Sequence, residues 1–201
     1  MTRVKSADFR RKQIVKVAAK LFAERGYEGT TMSDIASKVG ILKGSLYYFV
    51  KNKQDLAVMA YVDLLDEIEV EMKRIVGSDK NCEERLRDAI SGQVHLVLDH
   101  LHGAILINLD RGINRFPAKI RKELREKRRA VRYLWIGLIE EGIEKGEFRD
   151  CGDAKLSASA ILGMCSWIAV WFHKGGTFDV DTIADTFIAI ALRGLLKADQ
   201  K

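Results

Sequence analysis

The chain has 201 residues and a net charge of +6, with 47% hydrophobic and 31% charged side chains. This composition predicts a folded chain of one domain, or of one small and one larger unit, and excludes a disordered or fibrous protein. No stretch approaches the ~18 uninterrupted apolar residues of a membrane span, and the N-terminus is too charged for a signal peptide. We therefore expect a cytoplasmic protein with no membrane partner. The three cysteines form no CxxC pair, which predicts neither a disulfide framework nor a zinc site.

The charge is unevenly distributed along the chain. Residues 1–55 carry +7, residues 56–110 carry −6, residues 111–132 carry +8 and residues 133–201 carry −3. Two segments are therefore strongly basic. A basic segment indicates either an anionic partner or a solvated helix face.

A single proline and apolar residues at every third or fourth position predict an all-α fold of about nine helices. In chain order, these run over about Phe9–Glu24, Met32–Val39, Lys43–Phe49, Lys53–Val76, Glu83–Leu101, Ala104–Asn114, Pro117–Lys145, Asp153–Lys174 and Asp179–Lys197. Thr31 with Asp34, and Asn52 with Asp55, have the spacing of N-terminal caps.

Two short helices joined at Gly40 and preceded by a cationic helix have the shape of a helix-turn-helix. Ile35 and Leu46 are apolar where these helices must pack, and Ala36 is small where they approach most closely. The outward face of the second helix then consists of Lys43, Gly44, Ser45, Tyr47 and Tyr48. A cation, small residues and two phenols can enter the major groove of DNA and bind its phosphates. The alternative is a three-helix subdomain whose exposed tyrosines form a protein interface.

The run QIVKVAAKLFAERGYEGTTMSDIASKVGILKGSLYYFVKNKQDL resembles the N-terminal domain of TetR-family (tetracycline-repressor-like) transcriptional regulators, over about Arg10 to Leu56. The resemblance implies an all-α homodimer that binds a palindromic operator in double-stranded DNA, is released by a small-molecule effector, and is not an enzyme. Repression is the family default. We expect residues 8–68 to form the helix-turn-helix domain and residues 69–201 the ligand-binding and dimerisation domain, linked through the long helix that begins at Lys53.

The resemblance also assigns DNA contacts by position. Thr31 caps the second helix and contacts phosphate, and Lys43 and Gly44 begin the recognition helix. Tyr47 and Tyr48 contact the DNA backbone or bases, and Lys53 holds a phosphate.

Three positions depart from the family pattern. Leu42 stands where a serine usually caps the recognition helix, Phe49 where a phosphate-contacting histidine is common, and Val50 where a phenylalanine usually packs. The helices should survive these changes, but we expect some backbone contacts to be lost.

Small or apolar residues at helical spacing predict that the last two helices pair with those of a second copy in a four-helix bundle. These residues are Ala158, Gly163, Ile183, Phe187, Ile190, Ala191 and Gly194. Burial in the core of a single chain is the alternative.

An effector site is predicted from residue type alone. The candidates are Arg111, Arg115, Arg128 and Arg132 from the second basic segment and the three tryptophans Trp135, Trp167 and Trp171. Arginines that hold phosphates beside an aromatic wall would suit an acyl-coenzyme A. The segments EEGIEKGEFR and WIAVWFHKGGTFDVDTIADTFIAIALRGL resemble the acyl-CoA-responsive branch of the family. A neutral hydrophobic effector, a solvated basic face and a tryptophan-rich core remain alternatives.

Rival functions depend on weaker patterns. His95, Asp99 and His102 fall at i, i+4 and i+7, which is compatible with a metal-binding helical enzyme or a metal sensor. Sequence-independent DNA binding is a further alternative. We predict no catalytic residue, cofactor or resident metal, since the sequence contains no phosphate-cradling glycine loop, no serine nucleophile elbow and no HExxH.

Overall fold

The computed structural model describes residues 2–100, 116–150, 152–173 and 175–196. Within these ranges the chain forms α1 (Thr2–Arg25), α2 (Met32–Val39), α3 (Lys43–Phe49), α4 (Lys53–Val76), α5 (Cys82–Asp99), α6 (Ala118–Glu144), α7 (Ala154–Trp171) and α8 (Val180–Leu195). The all-α prediction is confirmed, and about nine helices is approximately right. The predicted helix Ala104–Asn114 lies outside the described residues.

Local signals in the sequence set most of the helix ends. The bounds of α2, α3 and α4 are those predicted. Helix α1 begins earlier than predicted, because no glycine or proline interrupts residues 2–25. Helix α7 ends before the predicted Lys174, since Phe172 is extended, with φ −69° and ψ 132°. The backbone of Leu196, just after α8, pairs with that of Phe148 in an isolated β-bridge.

The chain divides into two compact units, each with its own core. The first contains Met1–Leu64 and His100–Lys122, and the second contains Leu65–Asp99 and Glu123–Lys201. Helices α4 and α6 each contribute residues to both units. The boundary between residues 68 and 69 stays a prediction.

In the first unit, α2 packs against both α1 and α3. Its core contains Ile14, Ala18, Phe22, Ile35, Leu46 and Leu56, all buried. The loop between α1 and α2 is fixed by buried Thr30, whose Oγ1 donates to the carbonyl oxygens of Leu21 at 3.1 Å and Gly26 at 2.9 Å. Gly29 is required in this loop, because a Cβ there would lie 2.4 Å from the carbonyl oxygen of Arg25. The loop therefore holds the start of α2 against α1.

In the second unit, α5 packs against α7 and α8. A half-buried ion pair links α5 to α6: Arg85 donates from Nη2 to Glu141 Oε1 at 2.6 Å and from Nη1 to Glu141 Oε2 at 3.0 Å. The Arg85 side chain is 5% exposed and that of Glu141 is 32% exposed. Glu147 follows α6 and accepts hydrogen bonds from the backbone amides of Cys82 at 2.7 Å and Glu83 at 3.2 Å. Both contacts join the N-terminal end of α5 to the C-terminal end of α6.

Helix α7 has an unusual surface. Leu156, Trp167, Val170 and Trp171 are exposed, while the opposite face contributes Ala158, Ile161, Cys165 and Ile168 to the core. Of the helices in the described residues, α7 is the one long and apolar enough to cross a membrane, judged by length and composition only. A core helix of a soluble protein meets the same criterion. The outer face of an amphipathic surface helix is polar, whereas the exposed side chains of α7 named above are apolar.

Candidate DNA-binding and effector sites

The turn between α2 and α3 is built from hydrogen bonds within the first unit. At the start of α2, Thr31 Oγ1 accepts from the Asp34 amide at 3.1 Å, and the Thr31 amide donates to Asp34 Oδ2 at 2.8 Å. These bonds confirm the predicted capping box. The Thr31 hydroxyl is also 2.6 Å from Asp34 Oδ2, and the hydrogen bonds from this hydroxyl and from the Thr31 amide hold the pKa of Asp34 below its usual value.

Gly40 ends α2 in the left-handed conformation, at φ 76° and ψ 38°. The next amide, that of Ile41, donates to the carbonyl oxygen of Ala36 at 3.0 Å. A residue with a Cβ resists this conformation, so glycine fixes the sharp turn on which the position of α3 depends.

Helix α3 presents the predicted face to solvent. Leu46 is fully buried and Val50 nearly so, whereas Lys43, Gly44, Ser45, Tyr47 and Tyr48 are exposed. Leu42 occupies the N-cap position and makes no side-chain cap hydrogen bond, as its departure from the family pattern predicted. Lys43 makes no ion pair or hydrogen bond with any residue that the structure describes, and its ammonium is therefore available to an anion.

Lys53 has a different environment from Lys43. Its ammonium donates to the Tyr27 carbonyl oxygen at 2.7 Å, lies 4.3 Å from the centre of the Tyr27 ring and is 3.8 Å from Glu28 Oε2. The lysine predicted to hold a phosphate therefore joins the start of α4 to the loop that precedes α2. It positions the helix-turn-helix from within the protein, a role that sequence reasoning missed because its partners lie far away in the chain.

Basic side chains also lie on α1. Arg11, Lys12, Lys16 and Lys20 are exposed there, while Ile14, Val15 and Ala18 are buried. Lys20 pairs with Glu24 at 3.8 Å across an exposed i, i+4 spacing, which contributes little to stability. The net positive charge of the first segment is thus carried on a solvent-exposed surface, as an electrostatic contact with phosphates requires.

The second basic segment forms an exposed face on α6. Arg125, Arg128, Arg129 and Arg132 follow an i, i+3, i+4, i+7 spacing and are all exposed, and Arg129 Nη2 donates to Tyr133 Oη at 2.9 Å. That bond also lowers the pKa of the Tyr133 phenol. Arg128 and Arg132 make no ion pair with the described residues. Arg111 and Arg115 lie outside the described residues.

The structure separates the three predicted tryptophans. Trp135 is completely buried in the second unit, whereas Trp167 is 57% and Trp171 is 41% exposed on α7. The two α7 tryptophans therefore do not form an enclosed wall with Trp135 in a single chain. Their i, i+4 spacing suggested a pocket, but spacing alone cannot distinguish an inner from an outer face of an apolar helix.

The residues predicted to form a dimer interface are also divided. Ala158, Ile183 and Ala191 are buried in the core of the chain, which corrects their assignment to a surface. Gly163 and Ile190 are exposed, and Phe187 is half-buried. The surface open to a second copy is thus narrower than predicted and includes Leu156, Trp167 and Trp171.

The metal-site alternative gains no support from the described residues, among which no group of three or more metal-ligating side chains occurs. His95 Nδ1 lies 2.8 Å from the Ser91 carbonyl oxygen, and its Nε2 lies 3.1 Å from Asp181 Oδ1. His102 lies outside the described residues. His95 therefore links α5 to α8.

A capped helix, a glycine turn and a second helix with an exposed polar face define a helix-turn-helix transcriptional regulator. The comparisons with known proteins agree. Residues 14–59 match the family described as "Bacterial regulatory proteins, tetR family", and residues 79–195 match "Tetracyclin repressor-like, C-terminal domain". The chain belongs to the TetR family, whose members bind operator DNA, typically as dimers, and are generally not enzymes.

The chain is similar to named regulators over most of its length. It is 34% identical to the transcriptional repressor KstR2 of Rhodococcus jostii, across 92% of this chain and 91% of that protein. The solved structure of the ketosteroid transcriptional regulator KstR2 of Mycobacterium tuberculosis aligns with a TM-score of 0.82 and 28% identity, across 94% and 96% of the two chains. AibR, solved in complex with isovaleryl coenzyme A and operator DNA, aligns with a TM-score of 0.77 and 26% identity, across 90% and 97%.

Proposed function

We propose that this protein is a repressor that binds a palindromic operator as a homodimer and leaves it when an acyl-coenzyme A binds to the second unit. The observation that carries the DNA-binding part is the exposed face of α3, held by buried Leu46 and by the Gly40 turn. The relatives named as repressors and the structure of AibR with isovaleryl coenzyme A and operator DNA support the rest.

In this proposal, α3 enters the major groove. Lys43 and Ser45 reach base edges or phosphates, Gly44 lets the backbone approach, and Tyr47 and Tyr48 contact the DNA backbone. Thr31 supplies a further phosphate contact at the head of α2. A dimer places two such helices about 34 to 36 Å apart, in successive grooves, and a palindromic operator matches this symmetry.

The dimer interface is proposed to include the exposed apolar face of α7 and its neighbour on α8. Leu156, Gly163 and Trp167 lie along α7 at spacings of seven and four residues, and Trp171 continues the same stripe. Ile190 on α8 is 56% exposed. A second copy would cover these side chains, which explains why α7 is apolar on both its inner and outer faces.

The effector's phosphates are proposed to bind the exposed arginines of α6. Arg125, Arg128, Arg129 and Arg132 repel one another at this spacing unless an anion lies among them. Guanidinium groups bind phosphate through paired hydrogen bonds, and the pyrophosphate of coenzyme A offers several acceptors. The acyl chain would then lie among the apolar side chains of the same unit, with Trp135 in its wall. Arg111 and Arg115 remain candidates for the same role.

Release of DNA follows from a shift in population. An effector that prefers the conformation with low operator affinity weakens binding by no more than its difference in affinity for the two conformations.

The proposal is tested by selecting bound DNA sequences and then measuring release of the selected operator by a long-chain acyl-CoA, the free acid and coenzyme A alone. We expect the acyl-CoA to release the operator. Replacing both Arg128 and Arg132 with alanine should raise the required concentration about 10- to 100-fold, because two charge-assisted contacts are lost.

Arg87→Ala is the matched control, since Arg87 is an exposed arginine of α5 that pairs with Glu83 at 2.7 Å, and it should leave the response unchanged. Release by the free acid at the same concentration as its thioester would favour the alternative of a neutral or simply hydrophobic effector. Binding of random DNA as tightly as the selected sequence would indicate a sequence-independent binder, since a specific regulator discriminates by ~10³ or more.

A further inference from the structure

An apolar side chain, that of Leu42, lies in solvent at the start of α3. It is 80% exposed, whereas the side chain of Leu46, one turn later, is fully buried. Leu42 is the N-cap of α3, with φ −66° and ψ 143°, and its side chain makes no cap hydrogen bond. The side chain of Leu42 therefore stabilises neither the core of the first unit nor the start of its helix.

Leucine is an unfavourable residue at this position. Serine, threonine, aspartate and asparagine are preferred at the N-cap, because their side-chain oxygens accept a hydrogen bond from an amide of the first turn. Leu42 forgoes that hydrogen bond and also leaves an apolar side chain in water. Residues that break such local rules are expected at functional sites, where a contact with a ligand offsets the cost. The position of Leu42 thus indicates a role in binding.

Leu42 is continuous with the face of α3 that is proposed to enter the major groove. Lys43 and Ser45 follow it and are exposed, and Gly40 fixes the turn two residues before it. The backbone of Leu42 is also held, since its carbonyl oxygen accepts from the Leu46 amide at 3.2 Å. In a helix-turn-helix, the N-terminal residues of the recognition helix are those that contact base edges. Leu42 therefore lies on an ordered backbone at the end of α3 that meets the bases.

The major groove offers an aliphatic side chain one well-matched partner. Among the four bases, thymine presents a methyl group there, and the other groups on the base edges are hydrogen-bond donors and acceptors. We propose that Leu42 is a specificity-determining residue that packs on the 5-methyl group of one thymine in each half-site of the operator. This inference rests on the proposed function and adds a base preference to it.

The test replaces thymines of the selected operator with deoxyuridine, which lacks only the 5-methyl group. Each replacement is made at the same position of both half-sites, and affinity is measured by fluorescence anisotropy. At one position, we expect the wild-type protein to bind the deoxyuridine operator about 15-fold less tightly, because each buried methyl group contributes about 4-fold and the dimer loses two. In Leu42→Ser this ratio should fall towards one. A thymine that is contacted by a tyrosine of α3 instead gives a ratio that Leu42→Ser leaves unchanged.

The ratio separates base reading from helix stability. Leu42→Ser introduces a preferred N-cap residue, so α3 should stay folded, and any effect on the stability of α3 changes the affinity for both operators equally. Leu42→Met keeps an apolar side chain and should retain part of the ratio. Val70→Ser is the matched control, since Val70 is an exposed apolar residue of α4 in the second unit, and it should keep the wild-type ratio.

A ratio near one at every thymine in the wild-type protein would overturn the inference, as would ratios that are the same in Leu42→Ser at every position. Either result leaves the proposed function in place, because the operator is still bound. If the selection yields no preferred DNA sequence, the proposed function fails in its site-specific binding, and the inference fails with it.

Discussion

Replacing Lys43 or Tyr47 with alanine is expected to lower operator affinity by at least about 30-fold while leaving the dimer folded. Each contact of this kind is worth about 1–3 kcal/mol, and a homodimer loses it twice. Both side chains are exposed on α3, and Tyr47 is 48% exposed, so neither contributes to the core. Fluorescence anisotropy with the selected operator measures the affinity, and circular dichroism with thermal unfolding measures the fold.

The control for this result lies on the same helix. Leu46 is between Ser45 and Tyr47 and is fully buried. Leu46→Ala should also lose operator binding, but through a loss of about 2–5 kcal/mol in the stability of the first unit. Unchanged affinity in both Lys43→Ala and Tyr47→Ala would refute the assignment of α3 as the recognition helix.

The salt dependence of the same variants identifies what each side chain contacts. If Lys43 binds a phosphate, Lys43→Ala should weaken binding to all sequences and reduce the slope of log affinity against log salt by about one per contact. If Lys43 reads a base, the variant should instead relax specificity at one position of each half-site.

Glu141→Gln is expected to destabilise the protein by about 3 kcal/mol at neutral pH. Its partner Arg85 has a side chain only 5% exposed, and removing the carboxylate leaves a buried charge without a counterion. The Nη1 group of Arg85 also donates to the Val76 carbonyl oxygen at 3.0 Å, so the guanidinium is held in place and cannot easily turn to solvent. Urea unfolding of the two proteins measures the difference.

The effect of Glu141→Gln should depend on pH. The hydrogen bonds from Arg85, and then those from Lys145, lower the pKa of Glu141 from 4.5 to about 2. A lowered pKa in the folded state means that the carboxylate stabilises the protein above pH 4.5, and that this stabilisation is lost as the pH falls from about 4.5 towards 2. The difference between wild type and Glu141→Gln should therefore shrink over that range.

Glu71→Gln is the matched control for this ion pair. Glu71 pairs with Arg74 at 2.6 Å, but the Arg74 side chain is 64% exposed, and such surface pairs contribute about 0–1 kcal/mol. A double replacement of Arg85 and Glu141 by methionine should recover much of the stability lost in Glu141→Gln, because it removes the uncompensated charge. An equal, small effect of Glu141→Gln and Glu71→Gln would show that the Arg85 charge is well solvated.

The helix-turn-helix was predictable because its signals are local. The capping box of Thr31 with Asp34 and the Gly40 turn lie within ten residues of sequence, and both form as expected. The ion pair between Arg85 and Glu141 was not predicted. Each residue lies among other charged residues, as is typical of a solvated helix face, and only the tertiary fold selects this pair from its neighbours.

The candidate effector residues show the same limit of prediction from local sequence. The sequence identified the arginines and tryptophans by type, but the face that each occupies depends on which side of its helix the core covers. Because α7 is apolar all round, Trp167 and Trp171 could not be separated from Trp135 by periodicity. The burial of Gln93 on α5 was also overlooked, since a single glutamine in the sequence gives no sign of burial.

The outer face of α7 also has a genetic consequence. If two copies pair through this face, as proposed above, the pairing surface is separate in sequence from α3, and a chain with a defective recognition helix still pairs with an intact one. Alleles such as Lys43→Ala should therefore be dominant over the wild-type gene when both are expressed, since mixed dimers carry one working recognition helix and can read only half of a palindrome. Alleles that place a charge on the stripe of Leu156 and Trp167 should instead be recessive, because their products do not enter dimers at all.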